Sequence, residues 1–180
     1  MLKSNLTTER LYLKPINNSD VNEIFLLFSN PNVARWTKAK THKSIEETEK
    51  LIAISLEKYD KPQLWTIRIK DLPQVIGMIH FYISPTGKAE IHYVLSEDFW
   101  NRGIMTEAVS SIVTWIKKHY SHLEKIYIEV VAENIGSCRV LEKCGFQQVN
   151  RRCVRWQKFY PHFIDLICYE LKLNSFVVEN

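Results

Sequence analysis

Three observations predict an α/β fold of the mixed, α+β kind: one mostly antiparallel sheet with helices on both faces. The middle of the 180-residue chain, "LWTIRIKDLPQVIGMIHFYIS" and then "KAEIHYVL", reads as an antiparallel meander. Strand–helix–strand units follow, with "VSSIVTWIKKH" between "KAEIHYVL" and "KIYIEVVA". That intervening helix is apolar around most of its girth, so it packs against a sheet.

The elements follow in order. "RLYLKPI" (Arg10 to Ile16) alternates until it meets Pro15 and is the first strand. "NNSDVNEIFLLFSN" is a helix with Ser19 or Asp20 as N-cap and an apolar face at Val21, Ile24, Phe25 and Phe28. Asn30-Pro31 breaks it. "SIEETEKLIAISLEKYD" opens with a capping box, Ser44 and Glu47, and repeats at Ile45, Thr48, Leu51, Ile52 and Leu56 with helical period. Two strands then flank a turn at Asp71-Leu72-Pro73, and "KAEIHYVL" continues the meander. The helix after Gly103 keeps Ser110, Thr114, Lys117 and Lys118 as its wet stripe. "KIYIEVVA" is a buried-type strand. "NIGSCRVLEKCGF" is a short helix, N-capped by Asn134 and ended by a left-handed Gly145. "QQVNRRCVRWQKF" and "HFIDLICYELKL" close the chain as paired strands.

Composition bounds the function. At 46% hydrophobic and 24% charged, the chain has enough apolar material for one domain over residues 1–180. A net charge of +4 is too mild to call for nucleic acid but suits an anionic ligand. The N-terminus lacks a basic-plus-apolar signal segment, and no apolar run approaches the roughly 20 residues of a membrane span, so the expected compartment is the cytoplasm. Cys138, Cys144, Cys153 and Cys168 form no CxxC pair and have no histidines at zinc spacing. They are expected as core thiols, with no metal.

The most informative stretch is "FWNRGIMTEA", where a strand hands over to a helix through Gly103. A helix N-terminus offers unpaired amides and a partial positive charge, which suits phosphate. Gly103 admits positive φ and close backbone approach, Arg102 adds charge, and Thr106 adds a hydroxyl. The combination suits a pyrophosphate, although a tight strand-to-helix connection alone also explains it. A P-loop and a dinucleotide fingerprint both fail for want of further glycines.

"YVLSEDFWNRGIMTEAV" resembles the coenzyme A turn of the GNAT superfamily of N-acetyltransferases, in its RimJ/RimL-like branch. That branch often reads Trp-Gly-Lys-Gly-Tyr-Ala-Thr-Glu-Ala. Trp100, Arg102, Gly103, Thr106, Glu107 and Ala108 match, while Asn101 and Met105 depart where small residues are common. "AENIGSCRVLEKCGF" is similar to the family's Asn-x-x-Ser-x-x-Val-Leu-Glu-Lys-x-Gly-Phe segment. "TTERLYLKPINNSDVNEIF" is similar to its opening strand and helix, and "NPNVARW" to its substrate-side connection. The resemblance implies a splay between the fourth and fifth predicted strands and acetyl-CoA as co-substrate. It implies acetyl transfer to a primary amine by direct attack in a ternary complex. Acceptors in the branch include protein N-terminal α-amines, among them ribosomal proteins, and small amines and antibiotics. A non-catalytic acyl-CoA-binding module and an RNA- or ribosome-binding protein are the competing readings. Monomer and homodimer both remain open.

The resemblance also assigns residues. Pantetheine is expected along Tyr93, Val94 and Leu95, with an N–H near Leu95 as oxyanion donor, and the pyrophosphate at Asn101, Arg102, Gly103, Ile104, Met105 and Thr106. Period two puts Glu90 and His92 on one strand face as candidate bases; either also reads as a solvated surface group. Ser137 matches the serine beside the thiol and Asn134 a group that orients pantetheine; an N-cap and a first-turn residue explain them equally. Tyr169 reads as core rather than as a group near sulfur, and Cys138 has no histidine partner for a ping-pong route. Trp36 and Tyr160, with Trp156 and Phe159, are candidate walls of the acceptor pocket. Arg151, Arg152, Arg155 and Lys158 read as a surface strand.

Overall fold

The computed structural model describes residues 5–37, 39–57, 60–84, 87–155 and 163–173. Its strands are β1 (Leu6–Thr7), β2 (Leu11–Pro15), β3 (Asp60–Ile69), β4 (Gly77–Ile83), β5 (Ala89–Leu95), β6 (Lys125–Val131), β7 (Gln147–Arg155) and β8 (Phe163–Lys172). Its helices are α1 (Val21–Ser29), α2 (Pro31–Ala34), α3 (Ile45–Glu57), α4 (Ile104–His119) and α5 (Ile135–Lys143). The strands form one eight-stranded sheet in the order β1-β2-β3-β4-β5-β6-β8-β7. Every pairing is antiparallel except β5–β6, which α4 bridges as a crossover.

Alternation decides which face each strand residue serves. Ile79, Phe81, Ala89, Ile91, Ile126, Ile128 and Val130 pack with α4 and α5 on one face. Trp115 of α4 stands edge-on against Trp65 at 5.0 Å, filling that core with ring area. On the other face, Leu64 and Met78 pack with Ile24, Leu27 and Phe28 of α1 and Ile52 of α3.

Several local features differ from expectation. The predicted first strand is β2, and a short strand, β1, precedes it unforeseen. Neither Ser19 nor Asp20 caps α1 with its side chain. Asn17 instead caps a preceding 3-10 turn, and Asp20 is drawn inward to Arg68 at 2.6 Å. Leu27, rather than Phe25, joins the α1 face, and Ile45 of α3 is exposed. Pro31 ends α1 and also starts α2, because its fixed φ suits a first helical position. Glu47 reaches back to the Lys43 amide, 2.6 Å away. The α5 cap follows expectation: Asn134 accepts from the Ser137 amide, and Gly145 is left-handed at φ 83°.

Candidate active site

β5 and β6 begin side by side and then part. They pair only at Ala89–Ile126 and Glu90–Tyr127, although each strand runs for seven residues. The expected splay is this gap, its strands numbered one higher because β1 precedes the first predicted strand. The Ser96 amide donates to Ile76 at 2.8 Å, and an antiparallel ladder alternates the direction of its polar groups. The main-chain groups of His92 and Val94 therefore serve β4, while those of Tyr93 and Leu95 face the gap. The Trp100 indole agrees, donating to the Leu95 carbonyl at 2.9 Å. Val94 turns its side chain toward the α1–α3 core and lies opposite Met78 of β4.

The chain leaves β5 through a short 3-10 turn and enters α4 by two left-handed residues, Asn101 at φ 61° and Gly103 at φ 73°. Asparagine tolerates this conformation better than most residues, so the departure from a small residue leaves the turn intact. No side chain caps α4. Among the described residues, none accepts from the amides of Ile104, Met105 or Thr106. The mouth of α4 thus presents unengaged donors beside Arg102, whose guanidinium lies 5.4 Å over the Phe99 ring.

A clamp behind this turn was not foreseen. Glu107 accepts from the Thr8 hydroxyl, from the Arg10 amide at 2.9 Å and from Arg10 Nε at 2.6 Å. Arg10 Nη1 also donates to the Arg102 carbonyl at 3.0 Å. Burial works against the Glu107 charge, but the Thr8 and Arg10 bonds and the Arg10 charge outweigh it and hold the carboxyl below its usual range. A neighbouring cavity of about 370 Å³ is lined by the cations Arg10, Lys70 and Arg102 and the acids Glu9 and Asp71. No local pattern announces Arg10, because its partner lies 97 residues away.

The candidate bases do meet. Glu90 Oε2 and His92 Nε2 are 3.4 Å apart, and the Tyr82 hydroxyl bridges them at 2.9 and 3.1 Å. The Tyr82 and His92 rings stack at 5.5 Å. His80 lies beside Tyr82; burial, then the His92 charge, lowers its pKa to about 4, so it stays neutral. Tyr82 and His80 were also missed, although the hairpin register sets Tyr82 opposite Glu90 and His80 opposite His92.

Ser137 lies on the other face. Its hydroxyl is 2.8 Å from the Tyr93 hydroxyl, whose pKa burial raises despite the Ser137 bond. Glu90 and His92 therefore form one pair and Ser137 and Tyr93 another, separated by the sheet but both beside the gap. Asn134 uses its carbonyl oxygen as the α5 cap, 3.2 Å from the Ser137 amide. Cys138 is buried, and Tyr169 is a core residue donating to Glu142 at 3.1 Å. Trp36 carries the Arg35 guanidinium 4.5 Å over its ring. Its connection is tied to the segment after β5 by Asn30 and Asn32, each 3.0 Å from Glu97. Tyr160, Trp156, Phe159 and Lys158 lie outside the described residues, as does the Arg155 side chain. Arg151 pairs with Asp165 and Arg152 with Glu129, so both cations are engaged within the sheet. Among the described residues, no cluster of His, Cys, Asp or Glu is arranged to hold a metal. None of the described helices is long and apolar enough to cross a membrane.

Comparison with known proteins agrees with this geometry. The family described as "Acetyltransferase (GNAT) domain" matches residues 10–147. The "Uncharacterized N-acetyltransferase YoaA" of Bacillus subtilis is 31% identical over 147 residues, covering 79% of this chain and 82% of its own. A spermidine N-acetyltransferase from Vibrio cholerae, solved with CoA and spermine, superposes with a TM-score of 0.77 at 18% identity, over 92% of this chain and 97% of that one. A ribosomal-protein-S5-alanine acetyltransferase from Vibrio fischeri also gives 0.77, at 21% identity, over 96% and 98%.

Proposed function

The chain belongs to the GNAT family of acetyltransferases, and from that premise we propose that it moves an acetyl group from acetyl-CoA to a primary amine. One observation carries the reading: the β5–β6 ladder stops after two residue pairs, and the chain continuing from β5 enters a helix mouth whose amides are unengaged. The residues fit the co-substrate at both ends. The amides of Ile104 to Thr106 and the Arg102 charge suit its pyrophosphate, and the gap-facing groups of Tyr93 and Leu95 suit its amide-bearing arm. Bound there, the thioester supplies an activated acetyl group.

This chain's own groups supply the rest. The Leu95 N–H faces the gap and is the donor for the acetyl oxygen. Glu90 and His92 stand where the two strands part and take the amine's proton. Ser137, with Tyr93 behind it, is the hydroxyl that returns a proton to the departing sulfur. Cys138 is buried beneath this pair, which favours direct attack by the amine over an acyl-cysteine. Holding both reactants in one cleft supplies much of the rate.

For the acceptor, we favour a protein N-terminal α-amine; the Vibrio fischeri structure is named a ribosomal-protein-S5-alanine acetyltransferase, and another similar structure a ribosomal L7/L12 alpha-N-protein acetyltransferase. Deprotonating an α-amine at pH 7 costs roughly 1 kcal/mol, whereas a lysine-like amine costs roughly 4.6 kcal/mol. The half-buried Glu90–His92 pair is modest machinery that suits the smaller task. The test is release of free thiol from acetyl-CoA with a panel of N-terminal peptides, polyamines and aminoglycosides. Amine-dependent thiol, fastest with peptides, is expected. Binding of CoA without amine-dependent thiol with any acceptor would make the chain a binding module instead.

A further inference from the structure

We propose that Tyr82 is a positioning residue: its hydroxyl fixes His92 as the Nε2–H tautomer, which makes the Nδ1 lone pair the atom that takes the amine's proton. The inference rests on the acetyl-transfer reading above and names the atom that reading leaves open.

Protons and lone pairs decide which ring nitrogen is free. A tyrosine hydroxyl has one proton to give, while an ionised carboxylate only accepts. Tyr82 Oη lies 2.9 Å from Glu90 Oε2, so its proton goes there. The same oxygen lies 3.1 Å from His92 Nε2 and is left able only to accept from it. Glu90 Oε2, at 3.4 Å, is a second acceptor on that side of the ring. Two acceptors facing one ring nitrogen require a proton on it, so neutral His92 carries its lone pair on Nδ1. The parallel rings, 7° apart at 5.5 Å, hold the imidazole plane against a ring flip that would put Cε1 where Nε2 faces Tyr82 and Glu90. No described residue hydrogen-bonds Nδ1. His92 also stands two residues beyond the last β5–β6 pair, at the inner end of the gap.

Among the described residues, the other charged or titratable groups on this face leave the assignment unchanged. His80 is neutral, and Tyr127 of β6 pairs with Glu90 along the backbone and carries Lys88 and Lys125 over its ring. Glu129 is engaged by Arg152 and Glu170 by Lys125. In the step itself, one proton leaves the ammonium nitrogen of the acceptor and binds Nδ1. The resulting imidazolium directs its other N–H at Glu90 and Tyr82 and returns the Nδ1 proton to water.

The test is long-range ¹H–¹⁵N correlation on protein labelled with ¹⁵N-histidine, beside steady-state kinetics of Tyr82→Phe, which keeps the ring and loses only the hydroxyl. Wild-type His92 is expected as a single Nε2–H tautomer. The variant is expected to show mixed tautomers and a kcat about tenfold lower, with an unchanged KM for acetyl-CoA. A wild-type Nδ1–H tautomer, or a variant with unchanged tautomer and kcat, overturns the proposal. The spectrum needs no turnover, so failure to acetylate any amine would count against the function and not against the tautomer.

Discussion

At residue 103 the backbone has φ 73°, a conformation that costs any side chain about 1 kcal/mol or more. An added Cβ would meet only Arg10 Nη2 at 3.5 Å, so conformation rather than space selects glycine here. Glutamate at this position would add strain and also set a negative charge among the amides of Ile104 to Thr106. Gly103→Glu is therefore expected to weaken CoA binding at least 100-fold by calorimetry while the protein stays folded; binding at wild-type affinity would remove the turn from the site. Gly103 was legible from sequence because both its neighbours and its place at a helix mouth are local. Tyr82 was not, because its meaning lies across a hairpin, in a hydroxyl shared by Glu90 and His92. Asn101 was legible as a departure but not as harmless, since only its φ of 61° reveals that it takes the conformation a glycine would.

Between elements, the Thr8–Arg10–Glu107 clamp ties the β1–β2 end of the chain to the first turns of α4. It also neutralises a carboxylate that would otherwise repel an anion beside the helix mouth. The folded-state pKa of Glu107 is lowered, so its contribution to stability is present above the ordinary carboxylate pKa of about 4.3 and is lost as pH falls through the lower folded value. Glu107→Gln is expected to lower stability by about 1 kcal/mol at pH 7, with the difference from wild type shrinking below about pH 4. Denaturant titrations of both proteins at pH 7 and pH 3.5 check this; an equal difference at both pH values would remove the charge from the explanation. The sequence showed α4 and α5, their ends and the meander because caps and periodicity are local signals. It did not show that β8 lies between β6 and β7, because strand order is a long-range choice. Nor did it show α2, whose single turn rests on Pro31 and the Asn30 cap.

For the whole molecule, the sheet separates two side-chain pairs, and the parallel junction among the described strands, β5–β6, lies beside both. Glu90, His92 and Tyr82 lie on the α1–α3 side and Tyr93 and Ser137 on the α4–α5 side, with the β5–β6 gap between them. A sheet that paired β5 and β6 along their full length would leave the same residues with nothing to act on between them. The proposed function requires acetyl-CoA to lie in this gap with its pyrophosphate on the mouth of α4. The decisive measurement is of amide chemical shifts, followed by ¹H–¹⁵N correlation during a CoA titration. Large, saturable shifts at Tyr93, Leu95 and Gly103 to Thr106 are predicted, with little change at the amides that Val94 and His92 give to β4. Saturable CoA binding that leaves Tyr93, Leu95 and Gly103 to Thr106 unmoved would contradict it.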